Sequence, residues 1–245
     1  MESKVTVSAL QQMKRDGRKI VAVVAWDFQI SGIADRAGVD IVSVGDSVGV
    51  NLWGHATDAE VTVDEMLICC KAVRRGARRA LVSCDVPHGP VQSGADAAVR
   101  AALRLAGEGG AEMVKVLGDP DMVRAIVRSG VPVFAEFHGK NIPVDRLVDQ
   151  AKRLQNAGAS LLDFRHSGSV AGLAVAGAVS IPVIGGLGGG PWLDGRVRLA
   201  HTAIGYAAKW IDAKGETYGN AAKLSLDAFR ALIEDVRAGR QIKGG

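Results

Sequence analysis

Seven short runs rich in valine, isoleucine and leucine recur along this chain, each followed by Gly, Asp or Pro and then by a stretch of helical periodicity. The runs are Ile20–Ala25, Ile41–Val44, Ala80–Cys84, Met113–Leu117, Val131–Phe137, Ser160–Phe164 and Ile181–Gly185. Near-continuous apolar composition marks strands buried on both faces. Between them lie amphipathic stretches at Val63–Arg75, Ala95–Gly107, Pro120–Arg128, Val144–Asn156 and Gly168–Ala178, with an N-terminal helix at Thr6–Lys14 and a C-terminal one at Ser225–Arg237. Strands alternating with helices fold as βαβ units with parallel strands and the helices outside. A weaker run around Ala203–Tyr206 is the eighth strand in this reading. The expected architecture is α/β, a single (β/α)8 TIM barrel domain over residues 1–245 with an N-terminal helix. The length of 245 residues suits one such barrel. An open doubly wound sheet is the alternative, disfavoured because the spacing runs past six strands without a topological break.

Three phrases, Arg75-Gly76-Ala77, Gly109-Gly110-Ala111 and Ala157-Gly158-Ala159, read as glycine C-caps leading straight into the next strand. The net charge of +4 comes from basic residues dispersed over several helices, including Arg74, Arg75, Arg78, Arg79, Arg196 and Arg198. Aromatic residues make up only 4%, too few for base-stacking platforms, so a nucleic-acid partner is not expected. No apolar run approaches a membrane span, and the N-terminus lacks a signal-peptide pattern, which together predict a soluble, cytoplasmic protein without a membrane partner. Cys69, Cys70 and Cys84 cannot form a fully paired framework and read as buried thiols.

In barrels of this kind the chemistry sits where the strands end. Those ends present Asp27, then Gly45-Asp46-Ser47, Cys84-Asp85-Val86-Pro87-His88, Lys115, Glu136 with His138, Arg165-His166 and the glycine-rich stretch 185–190. Charged groups converging on one mouth need a partner or a ligand. Two aspartates from neighbouring strands suit a hard divalent cation such as Mg²⁺. They serve equally well as helix N-caps, and periodicity alone leaves Asp46 and Asp85 evenly divided between the two roles. Lys115 fits an internal salt bridge. The five histidines lack metal-ligand spacing, and most read as surface or loop residues. Residues 185–190 lack a P-loop pattern and fit either a backbone-lined ligand site or a tight turn.

The wording of the motifs adds a resemblance. Val44-Gly45-Asp46-Ser47-Val48-Gly49, Gly54-His55, Val61-Thr62-Val63 and Cys84-Asp85-Val86-Pro87 resemble the ketopantoate hydroxymethyltransferases. So do Ala111-Glu112-Met113-Val114-Lys115-Val116, Val131-Pro132-Val133, Ile181-Pro182-Val183-Ile184-Gly185 and Asp194-Gly195, so that the likeness covers most of the chain. That family is a (β/α)8 barrel of the phosphoenolpyruvate mutase and isocitrate lyase group. The resemblance implies that Asp46 and Asp85 ligate Mg²⁺ or another divalent metal, and that Ser47 and Lys115 contact a small anionic 2-oxo acid. It further implies methylenetetrahydrofolate as one-carbon donor and assembly as a homo-oligomer.

The departures fall at the centre of the chemistry. Where the family carries a glutamate two residues after the lysine, this chain has Leu117. Where it carries a histidine after the Val-Pro-Val strand, this chain has Glu136, and where it carries the catalytic glutamate, Arg165. The phenylalanine after the second aspartate and proline is His88, a candidate substrate contact. A guanidinium stays protonated and binds anions rather than accepting protons. Glu136 is then the first candidate for a relocated base or outer-shell oxygen, ahead of Asp163 and His88, while Arg165 fits a second anionic group or an internal pair with Asp163. The leading expectation is an aldolase-like or hydroxymethyltransferase enzyme whose substrate is altered from 3-methyl-2-oxobutanoate, with Lys115, Glu136 and Arg165 catalytic. The alternatives are an authentic 3-methyl-2-oxobutanoate hydroxymethyltransferase using Glu136, or a non-catalytic metabolite-binding barrel.

Overall fold

A computed structural model describes residues 3–212 and 217–244. Eight parallel strands close into a barrel in sequential order: β1 (Ile20–Val24), β2 (Ile41–Val44), β3 (Leu81–Asp85), β4 (Met113–Leu117), β5 (Val133–His138), β6 (Leu161–Arg165), β7 (Val183–Gly185) and β8 (Gly195–Leu199). The helices that run with β1 to β4 are α1 (Val7–Arg15), α2 (Phe28–Arg36), α3 (Val63–Gly76), α4 (His88–Gln92), α5 (Ala95–Gly107) and α6 (Pro120–Arg128). After β5, β6 and β8 come α7 (Val144–Asn156), α8 (Ser169–Ala178), then α9 (Ala200–Ala203) and α10 (Ala221–Arg237). The chain divides into two compact units, Met1–Arg198 and Leu199–Gly245. No helix among the described residues is long and apolar enough to cross a membrane.

The expected eighth strand at 203–206 is wrong. Ala200–Ala203 is helical, and β8 is Gly195–Leu199. In that strand Arg196 and Arg198 are exposed while Gly195, Val197 and Leu199 are wholly or partly buried. A strand covered on one face alternates with period two, so a search for continuous apolar runs passes over it. The same finding moves Arg196 and Arg198 from the expected helix to a strand.

Inward residues, read in steps of two along the strands, stack in three tiers. Ile20, Ile41, Leu81, Met113, Phe134 and Leu161 form an apolar floor, and Leu10 and Met13 of α1 pack into the same cluster. The N-terminal helix therefore belongs to the core, its Thr6 side chain capping it at the backbone N–H of Ala9. Two residues further on come Ser43, Ser83, Lys115, Glu136 and Asp163, where the Ser43 and Ser83 hydroxyls bond each other at 2.8 Å. Two further still, at the mouth, are Gly45, Asp85, Leu117, His138 and Arg165. An apolar layer thus closes one end and forces the polar layers toward the other.

Gly110 and Gly158 have the positive φ of helix-terminating glycines, 77° and 101°. Gly76 differs: it is the last residue of α3 and touches α2. A Cβ there would stand 2.1 Å from Ser31 Oγ and 2.5 Å from the Phe28 carbonyl oxygen. Gly76→Ala is expected to push α2 and α3 apart at a cost of about 1–3 kcal/mol, lowering the melting temperature by several degrees. An unchanged melting curve would mean the helix contact is softer than the geometry indicates.

Candidate active site

Asp27, Asp46 and Asp85 all follow strands, but they divide between two jobs. Asp27 caps α2 by accepting from the Ile30 N–H at 2.8 Å. No comparable cap holds Asp85: its Oδ1 is buried without a hydrogen-bond partner. Burial drives the Asp85 carboxyl up to about 7, and the neighbouring Asp46 carboxylate adds to the rise against the pull of Lys115. Asp46 is raised as well, first by burial and then by Asp58. Two acids that resist ionisation, side by side, form a site that a cation would relieve.

The backbone leaves room between them. Trp26 donates its indole N–H to the Gly45 carbonyl at 2.8 Å and so fixes the turn carrying Asp46. A Cβ on Gly45 would lie 3.1 Å from Ser47 Oγ and 3.6 Å from Asp85 Oδ2, so glycine keeps open the space beside Ser47 and Asp85. Past this turn the chain forms a π-helix over Gly49–Trp53, a rare element often found at functional sites.

Asp46 and Asp85 open into a cavity of about 450 Å³ that also receives Lys115, Glu136, Arg165 and His88. The expected metal ligands, the catalytic candidates and His88 therefore share one chamber. Asp58 and His138 line it too; His138 stood among the strand ends without an assigned role, and Asp58 was not anticipated. The signal for Asp58 was the length of the β2–α3 connection, much longer than an ordinary βα loop.

Strand register determines which charges meet. Asp85 lies beside Lys115, Glu136 beside Asp163, and His138 beside Arg165. Lys115 Nζ sits 2.5 Å from Glu136 Oε2 and 2.8 Å from Asp163 Oδ2. Arg165 places Nη2 2.8 Å from Glu136 Oε2 and Nε 3.4 Å from Asp163 Oδ2. His138 Nε2 is 3.3 Å from the other Glu136 oxygen, Oε1. Burial opposes the Lys115 charge, yet Asp163, Asp85 and Glu136 more than compensate, and its proton is held well beyond the usual lysine range. Asp163 behaves reciprocally: burial would raise it, but Lys115 and Arg165 hold it below the ordinary aspartate value. Arg165 is likewise raised by Glu136 and Asp163 against burial.

Asp163 also accepts from the Gly186 N–H at 3.2 Å, so one edge of the glycine-rich stretch 185–190 caps a buried carboxylate. The three cysteines are buried and unpaired with one another. Among the described residues no group of three or more His, Cys, Asp or Glu is arranged to hold a metal. Any cation here would rest on the two aspartates, with its remaining positions open, a pattern Mg²⁺ tolerates because it keeps waters and takes substrate oxygens.

The fold and the sequence have known counterparts. A family model described as ketopantoate hydroxymethyltransferase matches residues 4–139 and 136–241. The 3-methyl-2-oxobutanoate hydroxymethyltransferase of a Cyanothece species is 35% identical, over 95% of this chain and 96% of that protein. The enzyme of the same name from Geobacillus kaustophilus is 34% identical over 92% of this chain and 87% of its own. Among solved structures, phosphonopyruvate hydrolase in complex with oxalate and Mg²⁺ superposes with a TM-score of 0.66 at 14% identity, covering 96% of this chain and 88% of that one. 2,3-Dimethylmalate lyase, a member of the phosphoenolpyruvate mutase and isocitrate lyase superfamily, gives 0.63 at 14% identity, covering 98% and 89%. The barrel with its strand-end aspartates, matched nearly end to end by the family model, belongs to the ketopantoate hydroxymethyltransferase family of carbon–carbon bond enzymes.

Proposed function

We propose that this protein makes or breaks a carbon–carbon bond next to the keto group of a small 2-oxo acid by passing through its enolate, with Asp46 and Asp85 holding a divalent cation. The observation that carries the reading is the Asp85 carboxylate, which lines the chamber with Asp46 and Lys115 and has one oxygen, Oδ1, buried without a hydrogen-bond partner. The complex of phosphonopyruvate hydrolase with oxalate and Mg²⁺ supports it from a neighbouring fold. A bound cation supplies Lewis acidity to the keto and carboxylate oxygens of a 2-oxo acid. Lys115, kept charged by its carboxylates, then faces the oxyanion as it develops. Ser47, whose Oγ borders the space beside Gly45, supplies a hydroxyl contact to the substrate in this reading.

The substrate differs from 3-methyl-2-oxobutanoate in this reading. Arg165 and Glu136 form a pair on the chamber wall, and Arg165 keeps 30% of its side chain exposed. That exposed edge favours a 2-oxo acid with a second anionic group, which a guanidinium binds well. His88 adds a further polar group to the chamber lining. Methylenetetrahydrofolate is the one-carbon donor if the reaction is a hydroxymethyl transfer. In this reading the protein works as a homo-oligomer, as its family resemblance implies.

The test is hydrogen exchange at carbon 3, followed by NMR in deuterated buffer with Mg²⁺, across 2-oxo acids with and without a second carboxylate. A 2-oxo dicarboxylate is expected to exchange at least about tenfold faster than 3-methyl-2-oxobutanoate, the order of discrimination one additional charge-assisted contact supplies. Preference for 3-methyl-2-oxobutanoate, with hydroxymethyl transfer to it from methylenetetrahydrofolate, would instead establish the relatives' activity. The close identity to them is what favours that second reading.

A further inference from the structure

The chamber is crowded with carboxylates, yet all except Asp58, on the connection after β2, are committed to other tasks. Asp46 and Asp85 make up the cation site. Glu136 Oε2 lies between Lys115 and Arg165, and Asp163 between the same two cations and the Gly186 N–H. Both carboxylates are thus engaged by two cations each, and Lys115 and Arg165 themselves are held in their charged forms. Beside Asp58, imidazole remains.

His138 is the imidazole that the structure anchors. Its Nε2 stands 3.3 Å from Glu136 Oε1, the one oxygen of that carboxylate not taken by a cation. The Gly139 N–H donates to the Arg165 carbonyl at 2.9 Å and holds the end of β5 against β6. The His166 ring lies alongside, with centroids 6.3 Å apart and planes 24° from parallel. The side chain is 45% exposed and lines the chamber. The charged and titratable groups around it are Glu136 on its own strand, Asp163, Arg165 and His166 from β6 and the turn after it, and Lys115 behind Glu136 on β4. A proton on Nε2, directed at the carboxylate, leaves the Nδ1 lone pair as the basic site.

We propose that His138 is the catalytic base that moves the carbon-3 proton of the 2-oxo acid, with Glu136 as its positioning residue. The proposal rests on the enolising reading given above. Nδ1 of the neutral imidazole takes the proton. The C–H electron pair becomes the C2–C3 double bond, and the carbonyl π pair moves to the keto oxygen beside Lys115. When C3 of the enolate then attacks the carbonyl carbon of an aldehyde acceptor, the keto group re-forms, the acceptor's π pair becomes an alkoxide, and the imidazolium returns its proton to that alkoxide. Among side chains imidazole ordinarily changes charge near neutrality, which suits it to both halves of that cycle.

Carbon-3 exchange measured from pH 5 to 9 in the full-length, Mg²⁺-loaded protein tests this. His138→Gln is expected to slow exchange by about 10²–10⁴-fold and to lose the rise in rate from acid to neutral pH. Because the side chain is nearly half exposed, the variant should melt where the unsubstituted protein does. In ¹⁵N spectra of labelled protein the His138 ring should be the Nε2–H tautomer, and Glu136→Gln should mix the tautomers while altering the pH profile. Exchange by His138→Gln with an unchanged rate and profile overturns the assignment to His138 and leaves the enolising reading standing. If the unsubstituted protein exchanges no 2-oxo acid, the reading fails and the proposal with it.

Discussion

Asp85→Asn is expected to yield a more stable protein that has lost its chemistry. In the unsubstituted chain the buried Asp85 carboxyl titrates near 7 without a cation, against an ordinary value of 3.8. A carboxyl raised in the folded state binds its proton more tightly there than in the unfolded chain. Its favourable contribution is complete below pH 3.8 and disappears as the pH rises through about 7. Above that, a buried charge without a hydrogen-bond partner weighs on the fold by roughly 4 kcal/mol, the size of the shift expressed as free energy. Asn keeps the shape and removes the charge, so its melting temperature at pH 8 in chelator should exceed the parent's by several degrees, with a smaller difference at pH 5. Mg²⁺ should raise the parent's melting temperature by mass action and leave the variant's unmoved. Carbon-3 exchange should fall by about 10³-fold or more, given the several kcal/mol a Lewis acid supplies. A variant that still responds fully to Mg²⁺, or that melts below the parent at pH 8 without metal, would remove Asp85 from the cation site.

That prediction concerns a residue whose position could be found in the chain but whose role could not. The strand-end rule placed Asp27, Asp46 and Asp85 alike, since each follows an apolar run. Hydrogen bonding separates them: Asp27 meets an N–H three residues on, whereas Asp85 Oδ1 meets none. Seven strands were legible because doubly buried strands are apolar without interruption. β8 was not, because half of it faces outward as Arg196 and Arg198. Gly76 looked like the other helix-ending glycines, and only the distance to Ser31 and Phe28 shows why it must be small. The ionic centre was hidden for a similar reason. Lys115, Glu136 and Asp163 occupy the same tier on three strands, but a tier exists only when register aligns it, and register belongs to the closed barrel. Asp163 could be foreseen as a partner of Arg165 from the pleat alone. That Lys115 stands between Asp163 and Glu136 could not.

The tier carries the second large expectation. Lys115 is 6% exposed and offsets two carboxylates, one of them, Asp163, buried to 1%. Lys115→Met fills the space above Phe134, whose ring centroid lies 5.6 Å from the ammonium, but leaves Asp163 with only Arg165 as a cationic partner. Removing one member of a buried ion pair costs about 3–5 kcal/mol, so the variant should melt roughly 10 °C lower in this chain. The loss should depend on pH with a definite sign. Asp163 is held below its ordinary 3.8, so its contribution is present above that value and fades only as acid protonates it in the folded state. The difference between Lys115→Met and the parent should therefore be full at neutral pH and shrink in strong acid. The double variant Lys115→Met/Asp163→Leu removes both charges and should recover about 0.5–3 kcal/mol relative to the sum of the single changes. Exchange activity should not return with it, because the ammonium that faces the oxyanion is gone. If the double variant melts at the sum of its parts, Lys115 and Asp163 contribute independently, and Glu136 becomes the partner that holds Lys115 in the barrel.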